Sequence, residues 1–453
     1  MQRRIFMLKP NLNSIHEWAF YADNLLTEYN QSIEEGLDIS AYKALFEAAA
    51  ALPRDEIKKR LGDVLFDIVC NAKIVDGYTY EEPSEIDAIR ALRKDIPALG
   101  KVNADTLEDQ IYGAWLGRIC GCMLGKTVEG IRTHELVPFL KETGNYPMHR
   151  YIRRTDLNDE ILAKYKFPFA QRAYADEIDG MPVDDDTNYV VLAQEVVTKY
   201  GRDFTPANMA EAWLDMQPKN AYCTAERVAF HNFVNGYEPP VSAAYQNPYR
   251  EWIGAQIRGD YFGYINPGDP ETAADMAFRD ASISHVKNGI YGEMFAAAMI
   301  AAAATTTDIH EIIAAGIAQI PANSRLHEAI RNIVKAYDSG VSQADCFADI
   351  HKRWDEYIPH DWCHTISNAE IVAASLLYGE GDYGKSICMS VETGFDTDCN
   401  GATVGSILGM AYGTAAIGDE WARDIHDKLY TSIFGVGAVK ISERVKMTLA
   451  HLK

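Results

Sequence analysis

The chain has 453 residues, 47% of them hydrophobic, enough for one large core with an appendage or for two or three ordinary ones. Its 43 basic and 65 acidic residues leave a net charge of −22, which argues against a nucleic-acid or anionic-membrane surface, since both need clustered Lys and Arg. Eight scattered cysteines lack the density of a disulfide scaffold and point to reduced thiols.

In chain order, the amino terminus holds only four consecutive apolar residues, Ile5 to Leu8. That is too few for the core of a signal peptide, so a cytoplasmic location is expected. Residues 14–96 carry apolar positions at spacings of three and four, with Gly or Pro closing each unit, and predict a small helical domain. A polar connection near residue 100 divides an accessory domain, 1–104, from a larger one, 105–453.

From Asp105 onward helix signals dominate, in DQIYGAWLGRICGCMLG, DTNYVVLAQEVVTKYG, NGIYGEMFAAAMIAAAATTT, DIHEIIAAGIAQI and the segment after Asp398. Strand alternation is scarce, so the expected fold is all-α. Gly113, Gly117, Gly121 and Gly125 repeat every four residues, as do Gly401, Gly405, Gly409 and Gly413. Each interior glycine costs a helix about 0.5–1 kcal/mol, so the two runs imply close backbone packing, and the two helices are expected to cross in the core. Residues 141–181 and 236–271 lack periodicity and read as loops or lids. The uncharged run from Cys399 to Gly418 approaches the roughly 20 residues of a membrane span. Its Asn, Ser, Thr and Gly content makes it a buried soluble helix instead.

Two acidic clusters carry the chemistry. Asp184, Asp185 and Asp186 precede one apolar helix, and Asp396 and Asp398 open the second glycine-spaced one. Like charges about 4 Å apart repel by roughly 4 kcal/mol at an effective dielectric near 20, a cost that a bound divalent cation removes. Oxygen ligands favour Mg²⁺, with Mn²⁺ or Ca²⁺ as alternatives, over zinc. Taken alone, the first cluster also suits helix capping. The second matches the opening of an EF-hand loop but has Ile407 where that loop needs Glu, so the EF-hand reading fails.

With these motifs the sequence resembles the ADP-ribosylglycohydrolase family. The match lies in DQIYGAWLGRICGCMLGKTVEG, VDDDTNYV and GFDTDCNGATVGSILGMAYG followed by IGDEW, in the family's order, over residues 105–453. The resemblance implies a compact all-α domain with one or two divalent ions at the base of a cleft for an ADP-ribosyl group. It also implies Asp185, Asp186, Asp396 and Asp398 as metal ligands and Glu129 as an acidic group beside them. His285, in Ser284-His285, and Arg258, in a loose echo of the family's ligand loop, are the implied substrate contacts, and Asn400 is a third expected one. Departures stand at Asp184, Cys399 and Cys122, where the family has Thr, Thr and Asp; a neutral thiol is a poor ligand for a hard cation.

The expected activity is metal-dependent hydrolysis of an ADP-ribosyl or related ribosyl glycosidic bond. Glu129 is expected to activate water, with Asp184 as runner-up and Asp398 at the reacting centre. The alternatives are hydrolysis of a non-nucleotide furanoside, and a non-catalytic metal-binding or crystallin-like protein. Partners are expected to be a small molecule or an ADP-ribosylated substrate. His360-Asp361-Trp362-Cys363-His364 is spaced too tightly for an ordinary zinc site, Cys120 and Cys122 lie on different helix faces, and Lys126, Arg279 and Lys287 are further cations able to meet a diphosphate.

Overall fold

A computed structural model describes residues 11–452. Its described residues form 23 α-helices and one two-stranded antiparallel hairpin, Lys428–Tyr430 with Ala438–Lys440. The fold is thus all-α, as the sequence predicts.

The two glycine-spaced helices, Leu107–Lys126 and Thr397–Tyr412, run antiparallel through the centre. Gly113 lies on Gly409, Gly117 on Gly405, Gly121 on Gly401 and Gly125 on Thr397. A Cβ at any of these glycines would overlap the partner helix's backbone, which is why the repeat is glycine and why its propensity cost is offset. The Thr397 hydroxyl donates to Gly125 O (2.9 Å) and the Tyr383 hydroxyl to Gly117 O (2.8 Å), pinning the pair from both sides. Two further helices that are buried almost all round, Lys287–Ala303 and Thr365–Gly379, complete the centre.

Near the amino terminus, helices Leu25–Glu34, Lys43–Ala50 and Glu56–Asn71 enclose a small core of Leu25, Ile39, Phe46 and Leu65. This unit docks on the rest through buried ions. Arg250 meets Glu28 (2.8 Å) and Glu35 (2.6 Å), Arg325 meets Glu34 (3.8 Å), and Lys287 meets Glu35 (2.6 Å).

The two stretches expected to be loops or lids are largely irregular, but the second is not a surface loop. Residues 247–266 are buried almost throughout, with short turns Gln256–Arg258 and Asp260–Tyr264. Their aperiodic polar residues find tertiary partners, as Asn247 does on Ser284 O (2.9 Å). Within 141–181, Tyr151, Phe169 and Tyr174 anchor irregular backbone on the core, and a short helix forms at Asp159–Lys164. Among the described residues no helix is long and apolar enough to cross a membrane.

Candidate metal centre

Two helix N-termini bring the carboxylates together. Asp184 caps the helix Asp185–Tyr200, its Oδ1 accepting from Asp186 N (2.9 Å). Asp396 precedes the second glycine helix after a turn in which Gly394 (φ +78°) and Phe395 (φ +59°) are both left-handed. Phenylalanine in that region is strained, and the buried Phe395 ring against His351 helps to hold it there. Asn368 completes the clamp: its Oδ1 accepts from Asp396 N (3.2 Å) and Asn400 Nδ2 (2.8 Å).

Ligand atoms of Asp186, Asp398 and Cys399 lie within 4.8 Å of one another, as do those of Cys122, Asp184 and Asp186. The clusters, remote in chain position, therefore meet. Burial and the neighbouring charges of Asp184 and Glu129 push Asp185 far above the usual carboxylate range. Burial, then Glu129 and Asp184, do the same to Asp398. Burial and Glu129 push Asp396 up to about 7. Asp186 also stays high, since burial and the nearby aspartates outweigh Arg118. Burial raises Asp184 too, but Lys126 and the Asp186 N–H bring it below the ordinary value. Glu129 sits at the rim, two-fifths exposed, and burial plus the Asp184 charge raise it.

Two cations work inside this acidic set. Lys126 Nζ lies 2.6 Å from Asp184 Oδ2. Arg118 donates to Asp186 O (2.8 Å), Asp186 Oδ1 (3.1 Å) and Ile257 O (2.6 Å), and pairs with Asp260. Burial lifts the Asp260 carboxyl to about 6 despite that cation. Sequence reasoning missed Arg118, Asp260 and Asn368. Arg118 had a signal, being the one charge between Asp109 and Lys126 in its helix.

The donor set fits a hard cation. Asp398 Oδ1 and Asn400 Oδ1 are buried oxygens without a hydrogen-bond partner, and the carboxylates around Asp398 raise its proton affinity. Of the four expected ligands, Asp186 and Asp398 bring carboxylate oxygens within 4.8 Å of each other. The thiols contribute little to it: burial and adjacent aspartates raise Cys122 and Cys399 and keep them neutral, and Cys399 donates to Asp186 Oδ2 at 3.2 Å.

A sequence profile described as ADP-ribosylglycohydrolase matches residues 103–447, about three quarters of the chain. The chain belongs to the ADP-ribosylglycohydrolase family. Its members are generally hydrolases, which makes a glycohydrolase-type enzyme the coarse functional class. A solved structure titled "ADP-ribosylglycohydrolase-related protein complex" is similar at 18% identity, covering 77% of this chain and 98% of its own, with a TM-score of 0.47. No curated protein matches.

Within this family member, other expected site residues take different places. Arg258 is fully buried and its guanidinium is taken up internally: Nε on Asp280 (3.0 Å), Nη1 on Glu226 (2.9 Å) and Nη2 on Ser284 (3.1 Å). No donor is left for a diphosphate. His285 is equally buried, its Nδ1 facing Ser284 Oγ at 2.8 Å, with burial and Arg258 depressing its pKa. Lys126, Lys287 and Arg279 are engaged by Asp184, by Glu35 and by the carbonyls of Arg202 and Phe204.

His360 and His364 converge on Glu34, at 3.1 and 3.4 Å. Their Nδ1 atoms accept from Trp252 Nε1 (3.2 Å) and Ile366 N (3.1 Å), and their Nε2 atoms face Glu34, the three ligand atoms lying within 4.8 Å of one another. Cys120 and Cys122 point to different faces, Cys120 to Trp421 O (3.4 Å) and Cys122 to the aspartates.

Proposed function

We propose that Asp185, Asp186, Asp396 and Asp398 hold a divalent cation, Mg²⁺ first and Mn²⁺ next, and that this chain hydrolyses the glycosidic bond of an ADP-ribosyl or related ribosyl group. The observation that carries the reading is the meeting of Asp186 and Asp398 around a buried, unpartnered Asp398 Oδ1. Neutral Cys122 and Cys399 among the oxygens favour one ion over two.

A bound cation would supply a Lewis acid for the ribose hydroxyls and lower the pKa of a water molecule. The protein's own groups do the rest. Glu129, at the rim and with its proton affinity raised, takes the proton from water as the water oxygen bonds to the anomeric carbon and the leaving group departs with the bonding electron pair, taking up a proton from solvent. Asp184, held charged by Lys126, fixes the start of its helix and favours positive charge developing on the sugar. Arg118 and Asn368 keep the Asp186 and Asp396 segments in register.

The test is Asp398→Asn in the full chain, assayed by calorimetry with Mn²⁺ and by release of ADP-ribose from an ADP-ribosylated peptide. Loss of both with an intact circular dichroism spectrum is expected. Turnover equal to the parent's removes the ion from the mechanism.

A further inference from the structure

Large exposed apolar side chains concentrate in the amino-terminal unit, among them Leu26, Tyr42, Leu45, Ile57, Val64 and Ile74. Apolar groups gathered in this way mark a surface that meets another molecule. The helix Glu56–Asn71 turns Gly62, Leu65 and Val69 into the unit's own core. One position round, Ile57 and Val64 stand 62% and 51% exposed, and Leu61 and Ile68 on the same stripe are half-buried. The spacing of four, three and four is that of the seam by which two helices pair. A groove of about 500 Å³ runs beside this seam, lined by Tyr42, Val64 and Ile68 with Asp38 and Asp67. It has room for an aliphatic side chain from a facing helix.

The charges on the helix select the occupant. Lys58, Lys59 and Arg60 lie in its first half, Asp63 and Asp67 in its second. Lys58 pairs with Asp23 (3.0 Å) and Lys59 with Asp63 (2.9 Å). Arg60 and Asp67, seven residues apart on the flank of the seam, are exposed and form no ion pair among the described residues. An acidic partner would suit one of the two and a basic partner the other. A second copy laid antiparallel suits both: Ile57 then faces Ile68, Leu61 faces Val64, and Arg60 of one protomer comes beside Asp67 of its partner.

We propose that this chain self-associates through the helix Glu56–Asn71, two protomers pairing antiparallel about a two-fold axis. The surface lies outside residues 103–447 that match the family and contains no residue of the acidic centre. In a protein of net charge −22, copies repel over most of their surface. On this helix basic and acidic residues are equal in number, and the repulsion lapses there. Its 16 residues make a small interface, so a dissociation constant of about 10 µM is expected.

Sedimentation velocity of the full chain from about 1 to about 100 µM tests this. The mass of the parent is expected to rise from monomer towards dimer over that range. Val64→Glu, at an exposed position, is expected to weaken association about ten-fold or more and to leave the circular dichroism spectrum unchanged. Arg60→Asp and Asp67→Arg each set like charges across the pair, so each variant is expected to stay monomeric alone and to dimerise when the two are mixed. A parent that is monomeric throughout overturns the proposal and leaves the face to residues 1–10 or to another protein. A dimer that Val64→Glu and both charge reversals leave intact overturns it too, because that dimer forms through another surface. Should Val64→Glu not fold, the two charge reversals carry the test, and a mixture that fails to associate overturns the antiparallel pairing.

Discussion

Asp398 shows what burying a carboxylate among others costs. Its side chain is 3% exposed, one oxygen lacks a partner, and Glu129, Asp184, Asp396 and Asp186 all push its proton affinity up. Asp398→Asn is therefore expected to stabilise the metal-free protein by about 1 kcal/mol or more while abolishing metal stabilisation. Thermal melts in EDTA and in Mg²⁺ check both arms. The same charges give a pH dependence. The Asp396 carboxyl rises to about 7 from 3.8, so the folded state keeps a proton that the unfolded chain has released. Its contribution to metal-free stability is full below about pH 4 and lost as pH rises through about 7. The melting temperature in EDTA is expected to fall between pH 5 and pH 8, and Mg²⁺ is expected to flatten that slope. Arg118→Met removes the cation shared by Asp186 and Asp260 and is expected to cost about 3–5 kcal/mol by denaturant unfolding.

At the scale of elements, the glycine helices were legible because a four-residue glycine repeat has few uses in a soluble helix other than close backbone contact. Gly405→Val forces a branched side chain into the Gly117 carbonyl and is expected to cost about 3 kcal/mol or more, read by chemical denaturation. The meeting of the two acidic N-termini was legible because clustered aspartates remote in sequence each open a largely apolar helix. Residues 247–266 were not, because an irregular buried segment satisfies its backbone and polar groups through remote partners and so leaves no periodic trace. Arg258 failed as a substrate contact for the same reason. Nothing local announces that Glu226 and Asp280 will take up its charge.

Across the whole molecule, the amino-terminal helices are joined to the rest by ions removed from water. Arg325 reaches Glu34 as well as Glu82 and Glu251, and Arg250 serves Glu28 and Glu35. Arg325→Met is expected to lower the stability of the full chain by about 3 kcal/mol in one cooperative transition; two separate transitions by calorimetry contradict that coupling. The sequence suggested an appendage there, and its pairing with the larger part was hidden because every partner lies far along the chain. The central claim is that the Asp185/Asp186 and Asp396/Asp398 carboxylates share one hard cation. Anomalous diffraction at the manganese edge from crystals soaked in Mn²⁺ tests it most directly. The expected result is a peak within coordination distance of oxygens from both pairs, and strong peaks elsewhere with none between these aspartates contradict it.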